Sequence, residues 1–132
     1  CRDWLSVYDH AAGIQHVFEQ GEPGTVYNVG GGNERENITV AEQIVATLGK
    51  SRSLIRFVQD RPGHDRRYSI DCRRLRALGW SPQVPFEEGL KQTVEWYRTH
   101  ESWWRTIKSG EFKDYYQQQY AKRLQQGTAC GL

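Results

Sequence analysis

TVYNVGGGNERENITVAEQIVATLG, residues 25–49, decides the reading of the fold. Thr25 to Val29 is rich in β-branched and aromatic residues and runs into Gly30, Gly31 and Gly32, which predicts a buried strand entering a tight loop. Beyond the loop, Thr39 with Glu42 three residues later forms a capping box. Val40, Ile44, Val45 and Leu48 make an apolar stripe at helical spacing, and Gly49 suits a left-handed stop. A strand, a glycine loop and a capped helix in succession predict an α/β or mixed α+β unit.

Working outward, Leu54 to Val58 reads as a second strand, and Trp4 to Val7 as a strand end. Asp9 is placed to cap a helix carrying Ala11, Ile14, Val17 and Phe18 on one face and ended by Gly21. Asp71 is placed to cap another through Leu75 and Leu78, stopped by Gly79, and Trp80, Pro82 and Pro85 mark a turn. The longest helix starts at Phe86 and keeps Leu90, Val94 and Tyr97 in register, although Gly89 costs it about 1 kcal/mol relative to alanine. Helical character resumes near Glu111 through Tyr115, Tyr116, Tyr120 and Leu124, and 126–132 reads as a disordered tail. The strands are too few to close a barrel.

The 132 residues, 37% hydrophobic and 26% charged, suit one packed unit rather than two. Eighteen basic against sixteen acidic side chains give a formal charge of +2, without the basic excess that would point to nucleic acid. Cys1, Cys72 and Cys130 are odd in number and widely spaced, which suggests neither a disulfide framework nor zinc and fits a reducing cytoplasm. No apolar run approaches the roughly 20 residues of a membrane span, and no signal peptide is visible. A first residue that is not methionine, with structured-looking sequence directly after it, predicts that the chain is cut from something longer.

The densest chemistry is DRPGHDRRY, residues 60–68. Pro62 and Gly63 turn the backbone, leaving Arg61 and His64 on either side and Arg66, Arg67 and Tyr68 leading away. An arginine fork on a fixed turn is a good clamp for phosphate or carboxylate. The bland reading is that Asp60 and Asp65 neutralise the arginines in a solvated loop. Gly30 to Asn37 also follows a predicted strand, but it holds neither Gly-x-Gly-x-x-Gly nor Gly-Lys-Ser/Thr. Its glycines therefore read as loop geometry, with Asn33, Glu34 and Asn37 as polar groups at the strand's end. His10, His16, His64 and His100 show no metal spacing, and His10 and His16 read as structural or surface residues. Trp96, Tyr97, Trp103, Trp104, Tyr115, Tyr116 and Tyr120 read as packing rather than base stacking. Neither Tyr-x-x-x-Lys nor Gly-x-Ser-x-Gly occurs, so no complete active site is visible.

Taken together, RDWLSVYDH (2–10), YNVGGGNEREN (27–37), FVQDRPGHDRRYSID (57–71), LGWSP (78–82) and FEEGLKQTVEWY (86–97) resemble the C-terminal part of dTDP-glucose 4,6-dehydratases, in order and spacing. The resemblance implies an extended short-chain dehydrogenase with a Rossmann lobe that holds NAD, mostly missing here, and a smaller lobe, residues 1–125, that grips the nucleotide sugar. It implies Arg2 and Arg61 at the diphosphate, Asn37 and His64 as hydrogen-bonding partners, and Asp60, Pro62 and Gly63 completing the substrate loop. Arg66, Arg67 and Tyr68 are implied only as braces. The implied reaction oxidises C4 of dTDP-glucose with NAD, eliminates water across C5 and C6 and returns the hydride to C6, giving the 4-keto-6-deoxy sugar of deoxysugar biosynthesis. The Tyr-x-x-x-Lys and Asp-Glu groups of that lyase belong to the N-terminal portion, so the chain alone is expected to be inactive and to bind no NAD. Implied partners are the missing Rossmann lobe and a second copy in a homodimer. Two alternatives stay open: part of another nucleotide-sugar epimerase or dehydratase, and a stand-alone binding module without a reaction.

Overall fold

The structure, a computed structural model, describes residues 1–109, 112 and 114–116. Strand β1, Arg2–Asp3, is followed by α1, Val7–Gln20; then come strand β2, Glu34–Arg35, and α2, Asn37–Thr47. A 3-10 turn, Arg52–Leu54, leads by a long irregular stretch to α3, Arg73–Ala77, then α4, Phe86–Thr99, and α5, Glu101–Lys108. The class is mixed α+β, with β1 and β2 antiparallel and Arg2 opposite Arg35, Asp3 opposite Glu34. The small core is built by Val40 of α2, Cys72, Leu75 of α3, Trp80, and Phe86 and Val94 of α4, where α2 packs against α4. No described helix is long and apolar enough to cross a membrane. The predicted helix from Glu111 to Leu124 falls partly, and the 126–132 tail wholly, outside the described residues.

Two strand expectations are corrected. Residues 25–29 and 55–58 have no ladder partner among the described residues, and Leu54 closes the 3-10 turn. β-propensity measures fit to a paired, half-buried surface, so an apolar run without a neighbouring strand stays irregular. Val26 is accordingly 73% exposed, and Phe57 and Val58 are exposed with it. The strand expected over Trp4 to Val7 lies earlier, at Arg2–Asp3, although Trp4 N–H still donates to the Asn33 carbonyl at 3.2 Å.

Helix α1 forms as its spacing predicts but is capped and turned differently. Ser6 is the N-cap, its Oγ accepting from the Tyr8 N–H at 3.3 Å. Asp9 is only 4% exposed. Its two carboxylate oxygens accept the backbone N–H groups of Gln83 at 3.0 Å and Val84 at 2.9 Å. Gly13 lets the helix approach closely, since a Cβ there would lie 2.7 Å from Val29 and 3.2 Å from Trp80. His16 donates Nε2–H to the Leu78 carbonyl at 2.9 Å. By the helical period this buried side lies opposite Val7, Ala11, Ile14 and Phe18, which face outward, with Phe18 89% exposed. Replacing Asp9 with asparagine keeps one acceptor and sets an amide N–H against a backbone N–H. The expected loss is about 1–2 kcal/mol, read as a lower urea midpoint with an unchanged slope.

Helix α2 begins at Asn37, with extended Glu36 as N-cap and no side-chain cap bond, so the expected capping box of Thr39 and Glu42 does not form. Thr39 lies inside the helix, and Glu42 instead takes the Arg52 Nε–H at 2.8 Å. The predicted stop holds: Gly49 has φ 62° and Lys50 N–H returns to the Val45 carbonyl at 2.9 Å. Asp71 acts as expected at α3, its Oδ1 accepting the Arg73 N–H at 2.9 Å, one residue ahead of the Cys72 cap position. Hydrogen bonds from the Arg73 side chain hold the Asp71 carboxyl at about 2. A carboxyl depressed on folding contributes stability above its ordinary range near 3.8 and loses it as pH falls through about 2. Arg73→Ala is expected to bring the Asp71 carbonyl-carbon titration back toward the ordinary value, as read by NMR.

Trp96, Tyr97, Trp103 and Trp104 contact one another at the junction of α4 and α5. Trp96 stacks on His100 at 4.5 Å and meets Tyr97 and Trp103 edge-on, each at 5.2 Å. Trp104 donates its indole N–H to the Tyr97 carbonyl at 2.8 Å. Tyr120 lies outside the described residues.

Candidate functional site

Arg61 to His64 form the turn that the Pro-Gly pair predicts. Gly63 has φ 68°, where a side chain is strained, and His64 N–H closes on the Arg61 carbonyl at 3.3 Å. The segment that follows runs beside β1, with Tyr68 N–H donating to the Cys1 carbonyl at 3.1 Å. This contact carries the loop to Arg2, which is 62 residues away from His64 in sequence.

Arg2 is held on several sides. Its Nη1 donates to the Cys1 carbonyl at 2.7 Å, and its Nη2 lies 2.8 Å from His64 Nε2 and 3.3 Å from the Asp65 carbonyl oxygen. The guanidinium lies over the Tyr68 ring, 4.2 Å from its centroid. Behind His64, Asp60 Oδ1 is 2.6 Å from Nδ1 and also accepts the Arg61 N–H at 2.8 Å. These bonds, the one to His64 foremost, hold the Asp60 carboxyl below the usual carboxylate range.

Among the described residues neither aspartate of the loop forms an ion pair with an arginine side chain. Asp60 is turned to His64, and a hydrogen bond to Asp65 raises the Tyr68 hydroxyl above its ordinary range. Arg67 is the paired arginine: it meets Glu34 of β2 at 2.8 Å and 2.6 Å. With Ser69 also bonded to it, Glu34 is held below the ordinary glutamate range, chiefly by Arg67. Arg67 and Tyr68 thus brace the loop. Among the described residues, Arg61 and Arg66 make no ion pair, and both are exposed.

Of the predicted site residues, Arg2, Asp60 and His64 come together in one chain of contacts, with Arg61, Pro62 and Gly63 on the adjoining turn. Asn37 is not joined to them by a hydrogen bond; it is exposed at the start of α2, two residues beyond Arg35, which pairs with Arg2. Sequence reasoning missed Asp3 and underrated Glu34. Alternate residues of a strand face opposite sides, so a charged pair in β1 and in β2 was the available signal, but their partners lie 29 to 35 residues away.

Asp3 also decides what the glycine run can hold. Its carboxylate accepts the N–H groups of Gly32 at 3.2 Å and Asn33 at 2.7 Å. A Cβ on Gly30 would lie 2.6 Å from Asp3 and one on Gly31 2.5 Å from the Trp4 carbonyl oxygen. The glycines serve close approach of the chain to itself, and a carboxylate already fills the seat a pyrophosphate would need. This loop therefore does not fit the dinucleotide NAD. A cleft of about 730 Å³ is bordered by Trp4, Asn33, Phe86, Trp96 and Tyr97; Arg2, Asn37 and Asp60 to His64 do not line it.

The GDP-mannose 4,6 dehydratase family model matches residues 1–93. dTDP-glucose 4,6-dehydratase 1 of Escherichia coli is 45% identical over 130 residues, covering 92% of this chain and 36% of the relative. The dTDP-glucose 4,6-dehydratase of Streptomyces niveus is 50% identical over 109 residues, covering 82% and 32%. A crystal structure of the Bacillus anthracis enzyme in complex with NAD superposes with a TM-score of 0.74 at 45% identity, covering 80% of this chain and 33% of that one. DesIV of Streptomyces venezuelae, a dTDP-glucose 4,6-dehydratase solved with NAD and TYD bound, superposes at 0.75 with 42% identity and the same coverage of 80% and 33%. The chain spans about a third of the length of the curated relatives it matches. It belongs to the GDP-mannose 4,6 dehydratase family, with dTDP-glucose 4,6-dehydratases as its relatives.

Proposed function

We propose that the chain is the nucleotide-sugar-binding part of a dTDP-glucose 4,6-dehydratase, the lyase that makes dTDP-4-keto-6-deoxyglucose, and that it grips the diphosphate with Arg2 and Arg61. The observation that carries this is the charge arrangement on the 60–68 loop. Asp60 is bonded to His64, Asp65 to the Tyr68 hydroxyl and Arg67 to Glu34, while the Arg61 side chain stands exposed on the turn and makes no ion pair among the described residues. A planar fork left unpaired beside a second, firmly held one suits an anion with several oxygens. His64 steadies Arg2, and Asn37 at the head of α2 offers an amide to the nucleotide sugar. In this reading the chain supplies affinity and specificity, while the groups that oxidise C4 and eliminate water come from the rest of the enzyme.

The outward faces of the chain support the same division. Val7, Ile14 and Phe18 of α1, with Val26, Phe57 and Val58 of the two unpaired β-rich runs, are exposed. Relatives contain about twice as much further chain, and a Rossmann lobe there would cover this surface and lend strands to 25–29 and 55–58. Hydrogen exchange on the isolated chain is expected to find these two runs unprotected; protection to the global unfolding limit would remove this part of the reading.

Calorimetric titration tests the diphosphate grip. Thymidine diphosphate is expected to bind the chain and thymidine not to. Equal affinity for the two would overturn the assignment of Arg2 and Arg61.

A further inference from the structure

Asp60 is the odd member of the site, because a carboxylate facing a diphosphate would repel it. The geometry of its neighbours gives it another task. A guanidinium nitrogen can only donate, so Arg2 Nη2 at 2.8 Å from His64 Nε2 requires that nitrogen to carry its lone pair. The ring proton of this tautomer then sits on Nδ1, where Asp60 Oδ1 receives it at 2.6 Å. Asp60 is itself fixed by the Arg61 N–H at 2.8 Å, so the carboxylate is oriented by the turn that it helps to close. His64 is the shielded link, its side chain 22% exposed against 75% for Asp60.

We infer that Asp60 and His64 form an orienting relay for Arg2: Asp60 selects the Nδ1–H tautomer of His64, and the bare Nε2 holds the guanidinium in its binding pose. Asp60 is thus a positioning residue that does not touch the ligand, although the sequence resemblance grouped it with the substrate loop. In the opposite tautomer an Nε2–H would face the Arg2 N–H, two donors would oppose each other, and Arg2 would turn away. With the relay in place, the Cys1 and Asp65 carbonyls and the Tyr68 ring complete the frame around Arg2. Two of its five N–H donors are left for an anion. A relay through an oriented imidazole is the same device by which carboxylates fix histidine tautomers at metal sites.

The inference rests on the reading of Arg2 as a diphosphate ligand, and the two are tested separately. Imidazole nitrogen NMR on the whole chain, with the His64 signals assigned by their loss in His64→Gln, reads the tautomer without any ligand. Protonated Nδ1 and bare Nε2 are expected, shifting toward Nε2–H in Asp60→Ala. A predominant Nε2–H form in the unaltered chain would overturn the relay. Titration with thymidine diphosphate then reads the coupling. Asp60→Ala is expected to weaken binding about five- to tenfold, and Asp60→Asn less, because its amide oxygen still accepts from Nδ1–H. In the Arg2→Ala background the Asp60 substitution is expected to add less than about twofold. An undiminished Asp60 effect there would also overturn the relay. Absence of any binding by the unaltered chain would sink the diphosphate reading, and the tautomer alone would then decide the relay.

Discussion

Replacing Leu75 with alanine is expected to lower the stability of the chain by about 2–5 kcal/mol, the range for emptying a buried leucine site. Leu75 is 0% exposed, and among the described residues its companions in the core are few: Val40, Cys72, Trp80, Phe86 and Val94. A core this small has little capacity to close around a void, which favours the upper part of the range. Native stability for a domain of this size is only about 5–15 kcal/mol, so the substitution removes a large share of it. Asp71 anchors the start of α3, its Oδ1 accepting the Arg73 N–H and its carbonyl accepting the Asn28 amide at 3.0 Å. Urea unfolding reads the outcome as a fall in midpoint at constant slope. A loss below about 1 kcal/mol would mean that α3 is not held by its buried side and that the core lies elsewhere.

What could be read in the sequence was local, and what could not was long-range. The Pro62-Gly63 turn follows from a fixed proline φ and a glycine free to take φ 68°, and both causes lie within the turn. The helices from Asn37 and Phe86 follow from apolar period and need no partner to be recognised. TVYNV and LIRFV failed as strands because pairing is a property of two segments, and their composition says nothing of whether a neighbour is present. Asp9 failed as a cap for a related reason: its acceptors serve backbone groups 74 and 75 residues away, which no local pattern encodes. The same limit applies at the site. The Asp60 to His64 spacing was visible, but the closing contact to Arg2 spans 62 residues and came only from the fold. The resemblance supplied Arg2 as a candidate without supplying what holds it.

If the chain is the proposed nucleotide-sugar-binding part of a dehydratase, replacing Arg61 with alanine in the whole protein is expected to weaken nucleotide-sugar binding by about 1.5–3 kcal/mol, the range for a hydrogen bond to a charged group. The chain around Arg61 makes the size of this effect interpretable. Its side chain makes no ion pair among the described residues, so its removal strands no carboxylate. Its backbone role is kept by alanine: the N–H still donates to Asp60 and the carbonyl still accepts from His64. The turn, the His64 bond and the Arg2 frame therefore survive, and the loss measured is the loss of the fork. At about 1.4 kcal/mol per tenfold, the expected rise in the Michaelis constant is about ten- to 150-fold. Arg61→Lys is expected to recover only part of this, since an ammonium keeps the charge but cannot bind two oxygens in one plane. The residual effect is expected to weaken with added salt, because an exposed arginine is screened where the framed Arg2 is not. An alanine variant with unchanged Michaelis constant and rate would return the 60–68 loop to a solvated turn, and with it the claim that this chain grips the diphosphate there.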